Sequence, residues 1–172
     1  LADLSLPEVM ELARGKHFLD ARSLVARSLH DSFEKNDALP KRIYELAEER
    51  EGSIRGPFMI EGFSFVPNPE DTKGYGVTLV SRDDFTVVQD ERFDGKYNGK
   101  RFSEVDEMGI PNFDSNGTRT WYAKNNGLSR LYLNYGLSVY ADNDFLAGSN
   151  DNGRVVVISG EATPQKNDGG KK

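Results

Sequence analysis

The sequence predicts an α+β protein in which N-terminal helices, over about residues 6–51, pack on a mainly antiparallel β-sandwich or barrel over about residues 57–160. One observation behind this prediction is a change of amino-acid composition near Gly52–Pro57. Only two of the seventeen glycines and three of the eighteen aromatic residues lie at or before Gly52. A second observation is the spacing of apolar residues, which changes there from three or four positions to two. We expect one compact domain with three parts: a helical segment (1–55), a β-body (56–163) and a disordered polar tail (164–172).

The first part of the chain has the pattern of three helices. Ser5-Leu6-Pro7-Glu8 has the form of a capping box and predicts a short first helix that stops at Gly15. A second helix is predicted by an apolar stripe at helical spacing, formed by Phe18, Ala21, Val25, Leu29 and Phe33. A third helix opens near Pro40 and ends at Gly52. The short loop at 35–39 predicts that the second and third helices pack antiparallel.

The rest of the chain is predicted to form strands joined by polar turns. A turn at Arg82-Asp83-Asp84 separates two of these strands, and Asn125-Asn126-Gly127 predicts a tight hairpin because Asn-Gly supplies positive φ angles. The stretch Asp90–Ser115 is rich in turn residues and is predicted to be a long irregular connection. The run at Arg154–Ser159 lacks polar alternation, which is typical of a central strand. The other predicted strands are an alternating stretch around Phe63 and Phe65, Tyr75–Ser81, Phe85–Gln89, a short Lys100–Phe102, Thr118–Lys124, Leu128–Leu133 and Leu137–Ala141.

Composition excludes several classes of function. The net charge is −6, and general nucleic-acid binders need a basic stripe to displace counterions, so we expect no nucleic-acid partner. The chain has no cysteine, which excludes disulfides, thiolate metal sites and a cysteine nucleophile. No apolar run approaches the roughly 20 residues that span a bilayer, so no transmembrane segment is expected. His17 and His30 are the only histidines, and their spacing matches no histidine-based metal or catalytic motif, so no catalytic residue is predicted.

An acidic loop near the end of the chain is the candidate metal site. Asp142, Asp144 and Asp151 alternate with asparagines and precede Gly153. Such a run supplies hard oxygen ligands, and Ca²⁺ takes six to eight of them. The run lacks the regular spacing and the closing glutamate of an EF-hand loop. The other interpretation is a surface loop in which Asp and Asn bond to their own backbone. Apart from this candidate Ca²⁺, no cofactor is predicted.

Aromatic residues in the last strands are the candidate ligand-binding residues. Trp121, Tyr122, Tyr132 and Tyr135 concentrate there, together with Tyr140. Because side chains alternate along a strand, some of these rings should face outward, where they could stack on sugars or anchor a partner chain. The alternative is ordinary packing, since aromatic residues favour strands and cross-strand pairs.

Three functions remain open from the sequence. We expect a non-catalytic interaction or structural module with a protein partner, such as an accessory subunit of a larger assembly or a surface protein. One alternative is a β-module that binds carbohydrate or a small ligand. A second is a small cone-shaped α+β enzyme that uses a carboxylate. The polar loops and the cysteine-free composition favour a location outside the cytoplasm.

Overall fold

The computed structural model describes residues 5–12, 19–31, 37–133 and 138–143. Its elements are two helices and eight strands, with two 3₁₀ turns before the fourth strand. The helices are α1 (Leu6–Leu12) and α2 (Ala38–Glu51). The strands are β1 (Leu19–Ala26), β2 (Phe58–Pro67), β3 (Val77–Gln89), β4 (Arg101–Val105), β5 (Pro111–Phe113), β6 (Arg119–Ala123), β7 (Leu128–Leu133) and β8 (Val139–Asn143). The 3₁₀ turns span Glu91–Phe93 and Gly95–Tyr97.

The eight strands form one mixed sheet in the order β3-β2-β1-β7-β8-β6-β4-β5. Every pairing among these strands is antiparallel except that of β6 with β8. The predicted α+β class is therefore confirmed. The order leaves β3 and β5 as edges, so the described sheet is not closed on itself, and its pairings do not show a sandwich or a barrel.

The sheet has an apolar core on each face. One core contains Leu6 and Val9 of α1 together with Trp121, and we call this side the α1 face. The other contains Ile43 and Leu46 of α2, and we call this side the α2 face. Because successive side chains of a strand point to opposite faces, β1, β2 and β7 contribute buried residues to both cores.

Two predicted helices are present, α1 with its predicted N-cap and α2 with its predicted stop, while the predicted stop of α1 at Gly15 lies outside the described residues. The Ser5 backbone N–H and hydroxyl both donate to Glu8 Oε2 at 2.8 Å, which is the reach-back contact of a capping box. Helix α2 ends where Gly52 adopts φ 77° and its N–H donates to the Glu48 carbonyl at 2.8 Å. A glycine suits this left-handed position because it has no Cβ.

The predicted second helix is wrong, because Leu19–Ala26 forms strand β1. Ala21 and Ser23 through Ala26 are all buried, which is the pattern of a central strand covered on both faces. β1 pairs with β2 on one side and β7 on the other. Tertiary pairing thus overrides the helical spacing of the apolar residues, and the predicted antiparallel packing of two helices does not occur.

The predicted turn at Arg82-Asp83-Asp84 is also wrong, because β3 continues through it. Glu61 pairs with Thr86 and Phe63 pairs with Ser81. The four residues between Ser81 and Thr86 therefore form a bulge in one long strand. The predicted irregular connection over Asp90–Ser115 contains the two 3₁₀ turns and the strands β4 and β5.

The predicted tight hairpin at Asn125-Asn126-Gly127 is wrong in its pairing, although both of its strands exist. β8 lies between β6 and β7, antiparallel to β7 and parallel to β6. Gly127 does adopt φ 77°, but its N–H donates to the Ser28 hydroxyl. The loop is therefore tied to the end of β1 and not closed as a hairpin turn. β8 confirms the strand predicted over Leu137–Ala141, shifted by two residues.

Several predicted features lie outside the described residues. These are the strand at Arg154–Ser159, the polar tail and the residues Asp144, Asp151, Tyr135 and His17. The proposed division of the chain at 55/56 and 163/164 stays a prediction.

Candidate functional site

Three tyrosines on adjacent strands form the candidate site. Tyr132 of β7 and Tyr122 of β6 both pair with Tyr140 of the intervening strand β8. Their neighbours along each strand, such as Leu131 and Ala123, belong to the core on the α1 face. Side-chain alternation therefore places the three tyrosines on the α2 face, and we call them the tyrosine ladder.

The rings of the tyrosine ladder are stacked on one another. Tyr122 and Tyr140 have ring centroids 4.3 Å apart with planes inclined by 14°. Tyr132 and Tyr140 are 4.9 Å apart with planes inclined by 17°. These separations match the spacing of neighbouring strands, so the stack runs across the sheet. All three residues are half-buried, so part of each remains accessible to solvent.

A guanidinium group lies at one end of the ladder. The Arg130 guanidinium carbon is 5.3 Å from the centroid of the Tyr132 ring, within cation–π range. Arg130 also lines a cleft of about 10 Å³ with Phe63 and Phe65, room for about one water. The two phenylalanines meet edge to face, with centroids 5.5 Å apart. The ladder thus continues into a short aromatic and cationic strip across the sheet.

Trp121 lies on the opposite side of β6 from the ladder. Its side chain is fully buried in the core on the α1 face, 6.2 Å from the Phe93 ring. Among the described residues its indole Nε1 has no hydrogen-bond partner. A ligand on the ladder would therefore not touch the indole ring.

A charged pocket of about 180 Å³ is the second candidate site. It lies where the start of α1 meets the bulge of β3. Its charged lining residues are Glu8, Arg22, Glu61, Arg82 and Asp84. A pocket with charges of both signs suits a small zwitterionic or polar molecule better than an apolar one.

The charged groups of this pocket already bond to the protein. Glu61 Oε1 accepts from the Ser23 hydroxyl at 2.5 Å and from the Leu6 N–H at 3.2 Å. Arg82 makes a two-pronged ion pair with Asp84, both distances being 3.0 Å. These contacts hold α1 and the β3 bulge in place, which gives the pocket a structural role.

Two side chains of the pocket have displaced pKa values. Burial lowers the pKa of the Arg22 guanidinium, and the charge of Arg82 lowers it further, while Asp84 acts in the opposite direction. Arg22 Nη2 donates to the Phe63 carbonyl. The hydrogen bonds from the backbone and side chain of Ser5 lower the pKa of the Glu8 carboxyl. The lowered pKa favours the charged form of Glu8, whereas the lowered pKa of Arg22 disfavours its charged form.

The candidate Ca²⁺ site falls almost entirely outside the described residues. Asp142 lies on strand β8. The other two aspartates of the set, Asp144 and Asp151, lie outside the described residues. Across the described ranges, no group of three or more His, Asp or Glu side chains is placed to hold a metal ion. The Ca²⁺ site stays a prediction.

The tyrosines could be located from the sequence, but their alignment could not. Tyr122, Tyr132 and Tyr140 were grouped by composition alone, and only the insertion of β8 between the other two strands brings the rings into contact. Arg130 was missed. Its signal is its position two residues before Tyr132 on the same strand, which places both side chains on one face.

Comparisons of the chain with protein-family models, with curated proteins and with solved structures find no match. In the described part of the chain, neither helix is long and apolar enough to cross a membrane.

Proposed function

We propose that this chain is a non-catalytic interaction module whose protein partner docks on the tyrosine ladder. The observation that carries the proposal is the stack of Tyr122, Tyr140 and Tyr132 on a sheet face where all three side chains remain half-exposed. Tyrosine is enriched at protein interfaces because it combines a large apolar ring with a hydrogen-bonding hydroxyl. The accessory-subunit and surface-protein readings are both forms of this proposal.

The geometry favours a polypeptide over a sugar as the occupant. A sugar ring stacks on the open face of an aromatic ring. Both faces of Tyr140 are covered by its neighbours, and the Arg130 guanidinium lies over the ring of Tyr132. Because stacking covers these ring faces, the ladder suits contacts with side chains and backbone groups of a partner better than stacking with a sugar ring. Carbohydrate binding remains the alternative and would use the outer face of Tyr122.

The enzyme alternative draws less support from the described residues. A general acid in a cleft needs a carboxyl whose pKa is raised by its surroundings. The described carboxyls with displaced pKa values are Glu8, Asp90 and Glu91, and all three are displaced downward. These carboxylates are bound to hydrogen-bond donors, as expected of structural groups.

Two finer expectations belong to the same proposal. The right-handed twist of eight neighbouring strands would curve the sheet toward the predicted sandwich or barrel. A surface module of this kind also fits the expected location outside the cytoplasm.

The test measures the size at which the full chain migrates in an extract of its source cells, and compares the wild type with a variant that lacks two tyrosines of the ladder. The wild-type chain should co-migrate with a larger particle, and the double variant Tyr122→Ser, Tyr132→Ser should run as the free chain. Tyr97→Ser is the matched control, because Tyr97 is also half-buried and stacks on Phe113 at 5.2 Å away from the ladder.

The proposal fails if the double variant co-migrates like the wild type, or if the wild type runs as a free monomer. A glycan-binding assay with purified protein decides the alternative. Oligosaccharide binding that is lost in Tyr122→Ser would replace the protein partner with a sugar.

A further inference from the structure

Asn-Gly pairs are the chemically labile points of this chain. The sequence has four of them, at residues 98–99, 116–117, 126–127 and 152–153, and the first three lie within the described residues. Asn-Gly is prone to deamidation because glycine has no Cβ to obstruct its own backbone nitrogen. That nitrogen can then reach the side-chain amide carbon of the preceding asparagine.

The reaction needs no co-reactant but water. The glycine nitrogen loses its proton and bonds to Cγ of the asparagine, the bond from Cγ to the amide nitrogen breaks, and ammonia leaves. The product is a five-membered succinimide ring. Water opens the ring at either carbonyl and leaves aspartate or isoaspartate in place of asparagine.

The attacking nitrogen is held by a hydrogen bond in each described pair. Gly99 N–H donates to the Trp121 carbonyl at 2.8 Å, and Gly117 N–H donates to the Asp114 carbonyl at 3.0 Å. Gly127 N–H donates to the Ser28 hydroxyl at 3.0 Å. A nitrogen bound in this way must first lose its partner, so the reaction proceeds only from a locally opened state.

The pair at 126–127 differs from the others because a side chain holds it. Ser28 follows the end of β1, and its hydroxyl also donates to the His30 carbonyl at 2.9 Å. That second bond fixes the hydroxyl oxygen as an acceptor for Gly127. The Arg27 backbone N–H donates to the Gly127 carbonyl at 3.0 Å. Both the N–H and the carbonyl of Gly127 are therefore hydrogen-bonded to the segment that follows β1.

We propose that Asn126 is a latent deamidation site and that Ser28 is the positioning residue that suppresses its modification. Asn126 itself is exposed, so water can reach the succinimide once it forms. Deamidation would place a carboxylate in the loop and, as isoaspartate, would lengthen the backbone by one carbon. Either product disturbs the contact between Gly127 and Arg27.

The test is to incubate the full wild-type chain and its Ser28→Ala variant under native conditions at mildly alkaline pH, and to measure deamidation at each asparagine by mass spectrometry. Removal of one neutral hydrogen bond should raise the rate at Asn126 by roughly two- to tenfold. The rates at Asn98 and Asn116 should not change. Ser103→Ala, an exposed serine of β4, is the matched control and should leave all three rates unchanged.

Two further variants and three contrary results decide the proposal. Ser28→Thr keeps a hydroxyl and should retain the protection, and Asn126→Gln should abolish the signal assigned to this position. An unchanged rate at Asn126 in Ser28→Ala overturns the proposal, and so does an equal rise at all three sites, which would report general loosening of the fold. Wild-type deamidation at Asn126 as fast as in a synthetic peptide of residues 122–131 overturns it independently of any variant.

Discussion

The backbone of Gly62 touches the backbone of Asp84 across the β2–β3 pair. A Cβ added at Gly62 would lie 2.3 Å from the Asp84 carbonyl oxygen, and Gly62 has a φ of +69°. The contact arises because Gly62 alone faces the four bulge residues between Ser81 and Thr86. Only glycine fits this position, since it lacks the Cβ and tolerates the left-handed backbone.

We expect Gly62→Ala to lower the free energy of unfolding by about 3 kcal/mol, from backbone strain together with the steric clash. Urea denaturation measures this loss. Gly56→Ala is the control: a Cβ at Gly56 would meet no atom within 4 Å, and its φ is not in the left-handed range. That variant should stay within about 0.5 kcal/mol of the wild type. Equal stability of the two variants would mean that the close approach is absent in solution.

A second prediction concerns the dependence of stability on pH. Arg92 Nη2 lies 2.6 Å from both Asp90 Oδ2 and Asp106 Oδ2. Burial acts to raise the pKa of the Asp90 carboxyl, but the hydrogen bonds and charge of Arg92 outweigh it and leave the pKa below its ordinary value of 3.8. The unfolded chain therefore binds a proton at a higher pH than the folded chain does. The stabilisation by this carboxylate is present above pH 3.8 and is lost as the pH falls through the folded pKa.

Urea denaturation over a series of acidic pH values tests this prediction. The free energy of unfolding should fall on acidification, and Asp90→Asn should make the fall shallower while costing about 2 kcal/mol near neutral pH. Asp83→Asn, at an exposed position of the β3 bulge, should keep the wild-type acid dependence. A wild-type stability that rises on acidification would contradict the prediction.

The single tryptophan provides a third prediction. Trp121 is fully buried, and in the described part of the chain its indole N–H has no hydrogen-bond partner. Trp121→Ala should cost about 4 kcal/mol because it leaves a large cavity. Trp121→Phe should cost about 1 kcal/mol, since it removes an unsatisfied polar group along with some volume.

Thermal and urea unfolding of the two variants measure these costs. Tryptophan fluorescence of the wild type should be blue-shifted and should move to longer wavelength on unfolding. Equal costs for the phenylalanine and alanine variants would show that the indole N–H makes a hydrogen bond that phenylalanine cannot replace.

A fourth prediction concerns the exposed edge of the sheet. Among the described strands, β3 lies at an edge of the sheet; it has thirteen residues, and Val80 on it is 37% exposed. Charged residues and bulges on an edge strand hinder pairing with a second chain. The bulge residues Arg82, Asp83 and Asp84 supply both features.

Replacement of an exposed charge on the bulge should therefore promote self-association. We expect Asp83→Val to form larger species as the protein concentration rises, as measured by light scattering or sizing. Glu48→Val removes an exposed carboxylate from helix α2, which is not a strand of the sheet, and should remain at the wild-type size. Equal association of both variants would point to loss of charge alone as the cause.

Features that depend on neighbouring residues could be predicted from the sequence. The Ser5–Glu8 cap and the Gly52 stop were both correct because they involve bonds within one turn of helix. The strand predicted at Leu128–Leu133 was also correct, because β7 spans the same residues. In contrast, Leu19–Ala26 was assigned to a helix, because the spacing of its apolar residues fits a helical stripe as well as a strand buried on both faces.

The sequence by itself determined that strands follow the helix that ends at Gly52, that no cysteine chemistry is available, and that tyrosines are concentrated in the later strands. Only the tertiary structure decided that β1 is a central strand, that β8 separates β6 from β7, and that Tyr122, Tyr140 and Tyr132 stack. The physical reason is that caps and turns are fixed by contacts within a few residues, whereas strand order is fixed by burial and pairing between segments far apart in the chain.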